Sequence, residues 1–162
     1  LDQAFLDSLG EFDVVYSWGV LHHTGNMWKA LENVAPLVKQ NGLLFISIYN
    51  DQGSRSRFWW KVKRLYCSSL LGKLLVCSIF FPYFFVRMLI TSVVQRENIF
   101  AAYKNQRGMS VVYDWYDWLG GFPFEVAKTE EIFHLYVEKG FRLHNLTTSS
   151  GLGTNQFVFI KL

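Results

Sequence analysis

The sequence is poor in the residues that mark several classes of protein. Its 162 residues include only two cysteines, Cys67 and Cys77, which lack the C-x-x-C spacing of zinc or thioredoxin-type sites. Proline and glycine together number 15, too few for a collagen-like or low-complexity chain. A disulfide framework is therefore excluded. Because 51% of the residues are hydrophobic, intrinsic disorder is excluded as well.

A targeting signal is also missing, because no positively charged start leads into an apolar run. The first residue is Leu1 rather than Met. This start leads us to expect that the chain is a piece of a longer polypeptide.

The distribution of charge is more informative than the net charge of +3. Residues 52–110 contain ten lysines and arginines and one acid, a net charge of +9, whereas the rest of the chain carries −6. Asymmetry of this kind indicates an anionic partner for the basic segment. The alternative is that these cations only solvate the outer faces of long helices.

Residues 12–49 have the pattern of a strand, a helix and a second strand. The run FDVVYS at 12–17 is short and rich in β-branched residues, which predicts a strand buried on both faces. LLFISIY at 43–49 predicts a second apolar strand. A strand, helix and strand in about 40 residues predict a parallel pair with a crossover helix.

The helix between these strands is predicted from apolar residues that recur at helical spacing over 27–38. Before it, Thr24, Gly25 and Asn26 supply turn and helix N-cap chemistry. Pro36 is expected to kink the helix or end it early. Asn41 and Gly42 are predicted to form its stop.

The C-terminal part repeats these patterns. Thr129 is the predicted N-cap of a helix that Gly140 closes. A strand at 141–148, a turn at 149–153 and a strand at 156–162 follow. The two strands are expected to pair as an antiparallel hairpin.

The central segment differs in character from both ends. Residues 55–66 are basic and aromatic, and the thirteen residues 74–86 carry no charge. With Lys73 and Arg87 on either side, this run is shorter than the roughly 20 residues of a transmembrane helix. A buried or interfacial helix pair is the expectation.

In this order, FDVVYSWGVLHH, a helix and NGLLFISIYN resemble the fourth and fifth strands of class I S-adenosylmethionine-dependent methyltransferases. The closing helix and hairpin are similar to the end of that fold. The segment DWLGGFPFEVAKTEEI resembles a subgroup of bacterial methyltransferases acting on small or lipid-like molecules. The resemblance implies an α/β fold with a partial Rossmann-like sheet, made of two parallel strands plus a C-terminal antiparallel hairpin. Its core would comprise 1–50 and 119–162, with a helical cap inserted at 51–118.

The chain departs from the family pattern in one large respect. It has no G-x-G-x-G loop between a strand and a helix, and its only G-x-G, at 151–153, precedes a strand. The resemblance therefore implies a C-terminal fragment that lacks part of the cofactor site and is inactive alone. In such a fragment, 12–17 would form an open apolar edge, and we expect self-association through it.

The resemblance also implies where S-adenosylmethionine binds. In α/β sheets, ligands lie outside the carboxyl ends of the parallel strands. Ser17, Trp18, Gly19 and His22 are thereby expected to line the amino-acid part of the cofactor. Asp2 is expected near the adenine.

Three residues are candidates for catalysis. His22 and His23 could act as a general base near neutral pH, and the alternative is that they pack or cap the following helix. Asp117 lies in YDWYDWLGG, either as a base in a lid hinged at Gly120 and Gly121 or in an aromatic-anchored connecting loop with solvated acids. No metal is predicted, because adjacent histidine side chains diverge.

The substrate contacts are expected at Tyr49 and Asn50, after the second strand, and at Trp118 and Phe122. Together these predictions favour methyl transfer to a small or amphipathic organic molecule. The expected location is the cytoplasm, free or peripheral to a membrane.

Two other functions remain open. One is a peripheral lipid-binding module that uses the basic, aromatic cap on an anionic membrane. The other is an RNA methyltransferase that uses Trp59, Trp60 and neighbouring cations. The apolar runs after these tryptophans favour lipid over nucleic acid.

Overall fold

The computed structural model describes residues 3–96, 103, 108 and 110–162. Asp2, one of the predicted cofactor contacts, lies outside them. The described chain forms two compact units, one made of 1–58 and 123–162 and the other of Trp59–Phe122. The elements, in chain order, are α1 (Gln3–Ser8), β1 (Phe12–Trp18), a 3₁₀ turn (Leu21–His23), α2 (Met27–Val34), β2 (Val38–Tyr49), α3 (Ser54–Ser68), α4 (Leu70–Gln95), α5 (Val111–Gly120), α6 (Thr129–Glu138), β3 (Phe141–Thr147) and β4 (Thr154–Lys161).

The first unit contains a four-stranded sheet in the order β1-β2-β4-β3. β1 and β2 are parallel, and β4 runs antiparallel to both β2 and β3. The predicted fold class is thus confirmed, with two parallel strands followed by an antiparallel hairpin.

The core of this unit lies on one face of the sheet. Leu44, Ile46 and Ile48 of β2 point into it, next to Phe157 and Phe159 of β4. Residues of α2 and α6 cover these side chains, among them Met27, Leu31, Ile132 and Tyr136. The Tyr136 hydroxyl donates a hydrogen bond to the Leu31 carbonyl at 3.0 Å, and burial raises the pKa of this tyrosine.

The prediction that β1 is buried on both faces is wrong. Val14 is 58% exposed and Tyr16 is 61% exposed, and Phe12 and Trp18 are also exposed. Within the part of the chain that the structure describes, β1 has a neighbouring strand on one side only. β1 is therefore an outer strand with exposed apolar side chains, as predicted for 12–17.

The predicted helix stop at Asn41 and Gly42 is also wrong, because both residues lie within β2. The helix ends at Val34, before Pro36, as the proline predicted. Asn41 has a φ of 63°, and the register against β1 shifts between Phe12 and Val14. The pair therefore interrupts a strand instead of ending a helix.

The caps of the two flanking helices differ in how well they were predicted. Asn26 is the N-cap of α2, and its side chain accepts a hydrogen bond from the Lys29 amide, as predicted. Helix α6 is capped by Lys128 rather than Thr129. The Lys128 amide donates to the Glu131 carboxylate at 2.8 Å, which leaves Thr129 as the first helical residue.

The second unit is helical and contains α4 and α5. Its buried centre consists of Tyr66, Val76 and Leu119, with aromatic side chains such as Trp59 and Phe80 packed against it. The segment predicted as a loop or lid around Asp117 is the helix α5.

The prediction of a buried helix pair at 74–86 is wrong, and the alternative of an interfacial helix stays a prediction. These residues lie within the 26-residue helix α4, which continues past Arg87. By length and composition α4 could cross a membrane, and only 6% of its most apolar window is buried. A single arginine did not end the helix, because the apolar residues resume directly after it.

Candidate functional site

The carboxyl ends of β1 and β2 meet at one edge of the sheet, since the two strands are parallel. After β1, Gly19 turns the chain with a φ of 70°, and the 3₁₀ turn Leu21–His23 follows. After β2 comes Tyr49. Its ring lies 4.1 Å from the ring of His22 and 5.6 Å from that of His23, centre to centre. The structure therefore brings three of the predicted site residues together.

His23 is the more accessible of the two histidines. Its Nδ1 lies 2.6 Å from the carbonyl oxygen of Pro123. Because a carbonyl can only accept, Nδ1 carries a proton, and in the neutral ring Nε2 is the acceptor. The ring is held in place, with one nitrogen available for proton transfer.

His22 has a different environment. It is completely buried, and its ring packs against both Tyr49 and His23. His22 therefore packs against the rings of Tyr49 and His23 and helps to fix their positions.

The segment 123–127 joins the two strand ends to each other. The Glu125 amide donates to the His22 carbonyl at 3.0 Å, and the Ala127 amide donates to the Tyr49 carbonyl at 3.0 Å. The Phe124 ring, itself buried, contacts the Tyr49 ring at 5.0 Å. This segment is therefore part of the wall of the site.

Glu125 also caps a helix from far away in the chain. Both of its carboxylate oxygens lie 3.1 Å from the Met27 amide at the start of α2. A carboxylate at a helix N-terminus satisfies an unpaired amide and interacts favourably with the helix dipole. Sequence analysis missed Glu125 and Phe124, although both stand in the segment FPFEVAKTEEI that carried part of the resemblance.

Ser17, Trp18 and Gly19 lie at the end of β1, as predicted. Ser17 is half-buried. The Trp18 ring stacks near Tyr16 and meets Phe45 edge to face at 5.6 Å. Trp18 is 42% exposed, so part of its side chain is open to a ligand.

The Asn50 side chain is occupied by contacts within the protein. Its Nδ2 donates to the Ser149 carbonyl at 2.8 Å, and its Oδ1 accepts from Asn155 at 3.2 Å. Asn155 also donates to Thr129 at 3.0 Å. These bonds fix the turn before β4 against the end of β2, a structural task that accounts for an asparagine here.

Asp117, Trp118 and Phe122 belong to the second unit. The Lys63 ammonium donates to the Trp118 carbonyl and lies 4.3 Å above the centre of the Trp118 ring. Burial lowers the pKa of Lys63 to about 8, against the opposing charge of Asp117. Phe122 meets Trp60 edge to face at 6.0 Å.

A metal centre does not form among the residues that the structure describes. No group of three or more histidine, cysteine, aspartate or glutamate side chains is placed there to hold an ion. Both cysteines are free thiols.

Comparisons with known proteins give one family match. Residues 1–71 match the family model Methyltransf_23, described as a methyltransferase domain. No curated protein sequence matches the chain. The match covers β1, the histidine turn and β2, which are the elements that build the site.

Several solved structures are similar to the chain, among them the following two. One is PKMT2 from Rickettsia typhi in complex with AdoHcy, with a TM-score of 0.53 and 12% identity over 96% of this chain and 37% of that one. The other is an O-methyltransferase family protein from Burkholderia thailandensis, with a TM-score of 0.49 and 12% identity over 99% of this chain and 33% of that one. This chain thus spans little more than a third of the length of either. The likeness to PKMT2 shows a shared fold, and with the family match it confirms the resemblance to class I methyltransferases.

Proposed function

We propose that this chain contributes to an S-adenosylmethionine-dependent methyltransferase, with the cofactor's methionine part bound outside the carboxyl ends of β1 and β2. The observation that carries the proposal is the convergence of His22, His23 and Tyr49 at these two strand ends. These elements fall within the stretch that matches the methyltransferase family model. Ligands of α/β sheets bind at such an edge.

The residues present fit one end of the cofactor. A Cβ placed on Gly19 would meet no atom within 4 Å, so open space adjoins the turn after β1. Trp18 offers a partly exposed aromatic side chain beside it, and a cation such as a sulfonium or ammonium is attracted to an indole face. Ser17 adds a hydroxyl that can donate or accept a hydrogen bond.

When bound, S-adenosylmethionine supplies a methyl group on a good leaving group, so the protein's main task is to position the acceptor. His23 is suited to remove the acceptor's proton at Nε2, because the bond from Nδ1 to Pro123 fixes its ring and its tautomer. His22 holds the His23 ring from its buried side.

The acceptor in this proposal is a small or amphipathic organic molecule. Tyr49 and Phe124 give the site an aromatic wall, which favours an apolar body over a bare ion. We further propose that the 162 residues alone are inactive, because they contain no glycine-rich loop that opens a helix to hold the cofactor.

Cofactor binding tests the proposal and does not require a known acceptor. The gene product, as encoded, is titrated with S-adenosylhomocysteine in a calorimeter. Trp18→Ala is expected to weaken binding about tenfold, the loss of one aromatic contact to the ammonium group, which is the cation that S-adenosylhomocysteine retains. Trp28→Ala is the matched control, because Trp28 on α2 is 41% exposed, against 42% for Trp18. Equal losses in both variants, or no binding by the gene product, would count against the proposal.

The acceptor class is tested by following the transfer of a labelled methyl group from S-adenosylmethionine. Small-molecule, lipid and RNA extracts are offered separately, so that label in RNA alone supports the RNA alternative. His23→Asn retains an amide that can donate to Pro123 but has no acceptor at the Nε2 position. We expect its rate to fall about 10²- to 10⁴-fold with unchanged cofactor affinity. The exposed His144 on β3 provides the control variant His144→Asn.

A further inference from the structure

Helix α4 has one face that is packed against the protein and another that is exposed to solvent. The buried and half-buried residues recur at every fourth position or close to it, at Gly72, Val76, Phe80, Phe84 and Met88. This spacing marks one face of an α-helix. The opposite face is aliphatic and exposed to solvent along almost the whole helix, with Leu71, Leu75, Ile79, Val86, Ile90 and Val93 all exposed.

The packed face is fixed by aromatic contacts with α3 and α5. Phe80 lies 5.2 Å from Trp59 of α3, and Phe81 lies 4.8 Å from Tyr116 of α5, centre to centre. Phe84 contacts Trp115 at 5.6 Å. About half the circumference of α4 is therefore occupied by neighbouring helices.

The two charged residues of α4, Lys73 and Arg87, project beside the packed face and are themselves exposed to solvent. The Lys73 ammonium is 5.5 Å from the centre of the Tyr66 ring and 5.7 Å from that of Tyr116. Arg87 lines the same small pocket as Phe84 and Trp115. The exposed aliphatic face of α4 is left without any charged side chain from 70 to 95.

The helices packed against α4 argue against a simple span across a bilayer, although its length and composition would allow one. A spanning helix must be apolar around its circumference over about 20 residues, or be packed on helices that also enter the membrane. The neighbours of α4 are not suited to that, because α3 carries Lys61 and Arg64 and α5 carries Asp114 and Asp117. The second unit instead presents one apolar helix face beside helices that carry charges, and an apolar face of this kind is suited to lie in the plane of the interface, buried about 5–10 Å deep.

The surroundings of the apolar face favour an anionic surface. The second unit, Trp59–Phe122, contains eight lysines and arginines and three acids, a net charge of +5, and each exposed Lys or Arg near an anionic bilayer contributes about 1 kcal/mol of attraction. The exposed Trp60 ring has the Arg64 guanidinium 5.0 Å above it, a pairing suited to the headgroup level, where tryptophan is enriched. A second copy of the same basic unit would be repelled. A lipid surface is favoured over RNA because most of the exposed side chains of α4 are aliphatic, Tyr83 and Phe85 being the exposed aromatic ones, whereas single strands bind by stacking on aromatic rings.

We infer that α4 docks in the plane of an anionic membrane, with the aliphatic face around Ile79 in the acyl boundary and the basic residues of the second unit at the lipid phosphates. This membrane contact is independent of methyl transfer. The membrane is contacted by α4, and not by the site at the carboxyl ends of β1 and β2.

Vesicle binding tests the inference. The protein is floated with vesicles of phosphatidylcholine alone and of phosphatidylcholine with about 30% phosphatidylglycerol. We expect binding to the anionic vesicles only, falling at least about tenfold when NaCl is raised from about 0.05 to 0.5 M. No binding to either vesicle at low salt would overturn the inference.

Glutamate substitutions on the exposed face of α4 test whether this face, and not another part of the surface, contacts the membrane. Ile79→Glu and Val86→Glu alter exposed positions, so both are expected to fold, with an unchanged circular dichroism spectrum, and to lose binding at least about tenfold. Val137→Glu, on the exposed side of α6 in the first unit, is expected to bind like the parent. If Ile79→Glu does not fold, Val86→Glu decides the outcome. Equal binding by the α4 variants and the parent would refute the role of this face.

Extraction separates the in-plane contact from a span. A protein held in the interface is released from vesicles by alkaline carbonate, whereas a spanning helix is retained. Retention would overturn the inference in favour of a transmembrane α4. If sedimentation instead shows a dimer that Ile79→Glu dissociates, with no vesicle binding, the face is occupied by a second copy and the inference fails. Binding to RNA that displaces the vesicles would likewise reject it.

Discussion

Lys63 is a buried lysine of the second unit whose ammonium is stabilised by contacts within the protein. It is 1% exposed, and its ammonium is held by the Trp118 carbonyl and by the face of the Trp118 ring. These contacts offset only part of the cost of burial, because the pKa of Lys63 is lowered to about 8 from 10.5. The protonated side chain therefore destabilises the fold at neutral pH relative to the neutral amine.

We predict that this penalty is lost as the pH rises. Between about 8 and 10.5 the unfolded chain binds this proton more often than the folded chain does, so the free energy of unfolding increases with pH across that window, by up to about 3 kcal/mol. Lys63→Met should remove the increase. Urea unfolding of parent and variant at several pH values measures the free energy of unfolding of each. Subtracting one from the other removes the contribution of the groups that titrate alike in both proteins.

The exposed Lys61 supplies the control for this prediction. Lys61→Met should follow the parent's pH dependence. If Lys63→Met also follows it, the lysine is not buried in solution.

The candidate site was only partly predictable at the level of residues. Ser17, Trp18, Gly19 and the two histidines could be placed, because a parallel strand pair determines which residues follow the strand ends. Glu125 could not, since its contact with the Met27 amide joins residues 98 positions apart. The substrate role of Asn50 was inferred from its position alone, and its bonds to Ser149 and Asn155 could not be read from the sequence.

The elements followed local chemistry closely where that chemistry was strong. Pro36 ended α2, Asn26 capped it and Gly140 closed α6. The failures came from tertiary context. Asn41 and Gly42 have the composition of a helix stop, yet α2 had already ended at Val34 and β2 continues through both residues. The length of α4 was underestimated because Arg87 was treated as a boundary, whereas one arginine beside a packed face does not interrupt a helix.

The corner between α3 and α4 depends on a glycine. Ser69 caps α4 by accepting a hydrogen bond from the Gly72 amide at 3.1 Å. A Cβ on Gly72 would lie 2.2 Å from the Leu65 carbonyl oxygen, a backbone atom that cannot move without shifting α3. Gly72 therefore permits the close approach of the two helices.

We predict that Gly72→Ala destabilises the protein by about 1–3 kcal/mol through overpacking. The sign is diagnostic, because alanine in a helix interior without such a clash would stabilise by about 1 kcal/mol. Thermal or urea unfolding measures it. Gly151→Ala should change stability by less than about 0.5 kcal/mol, since a Cβ there meets no atom within 4 Å. A more stable Gly72→Ala variant would show that the helices lie further apart.

At the scale of the whole molecule, the sheet has two edges with different chemistry. The outer strand β3 carries Arg142, His144 and Asn145, and charged or polar side chains protect an edge from pairing with other chains. The other outer strand, β1, exposes the apolar side chains of Phe12, Val14, Tyr16 and Trp18. Self-association is therefore expected through β1 rather than β3.

We predict that the 162-residue chain sediments as a dimer or larger species and that Val14→Lys shifts it toward monomer. A lysine on an exposed apolar edge adds a charge that a pairing strand would have to bury, which costs on the order of 1 kcal/mol or more for each chain. Val137→Lys adds the same charge on α6 and should leave the distribution unchanged.

Because α4 also has an exposed apolar face, Ile79→Glu is sedimented in parallel. If Ile79→Glu dissolves the assembly and Val14→Lys does not, the contact lies on α4. A parent chain that is monomeric at all concentrations would show that the open edge of β1 does not pair.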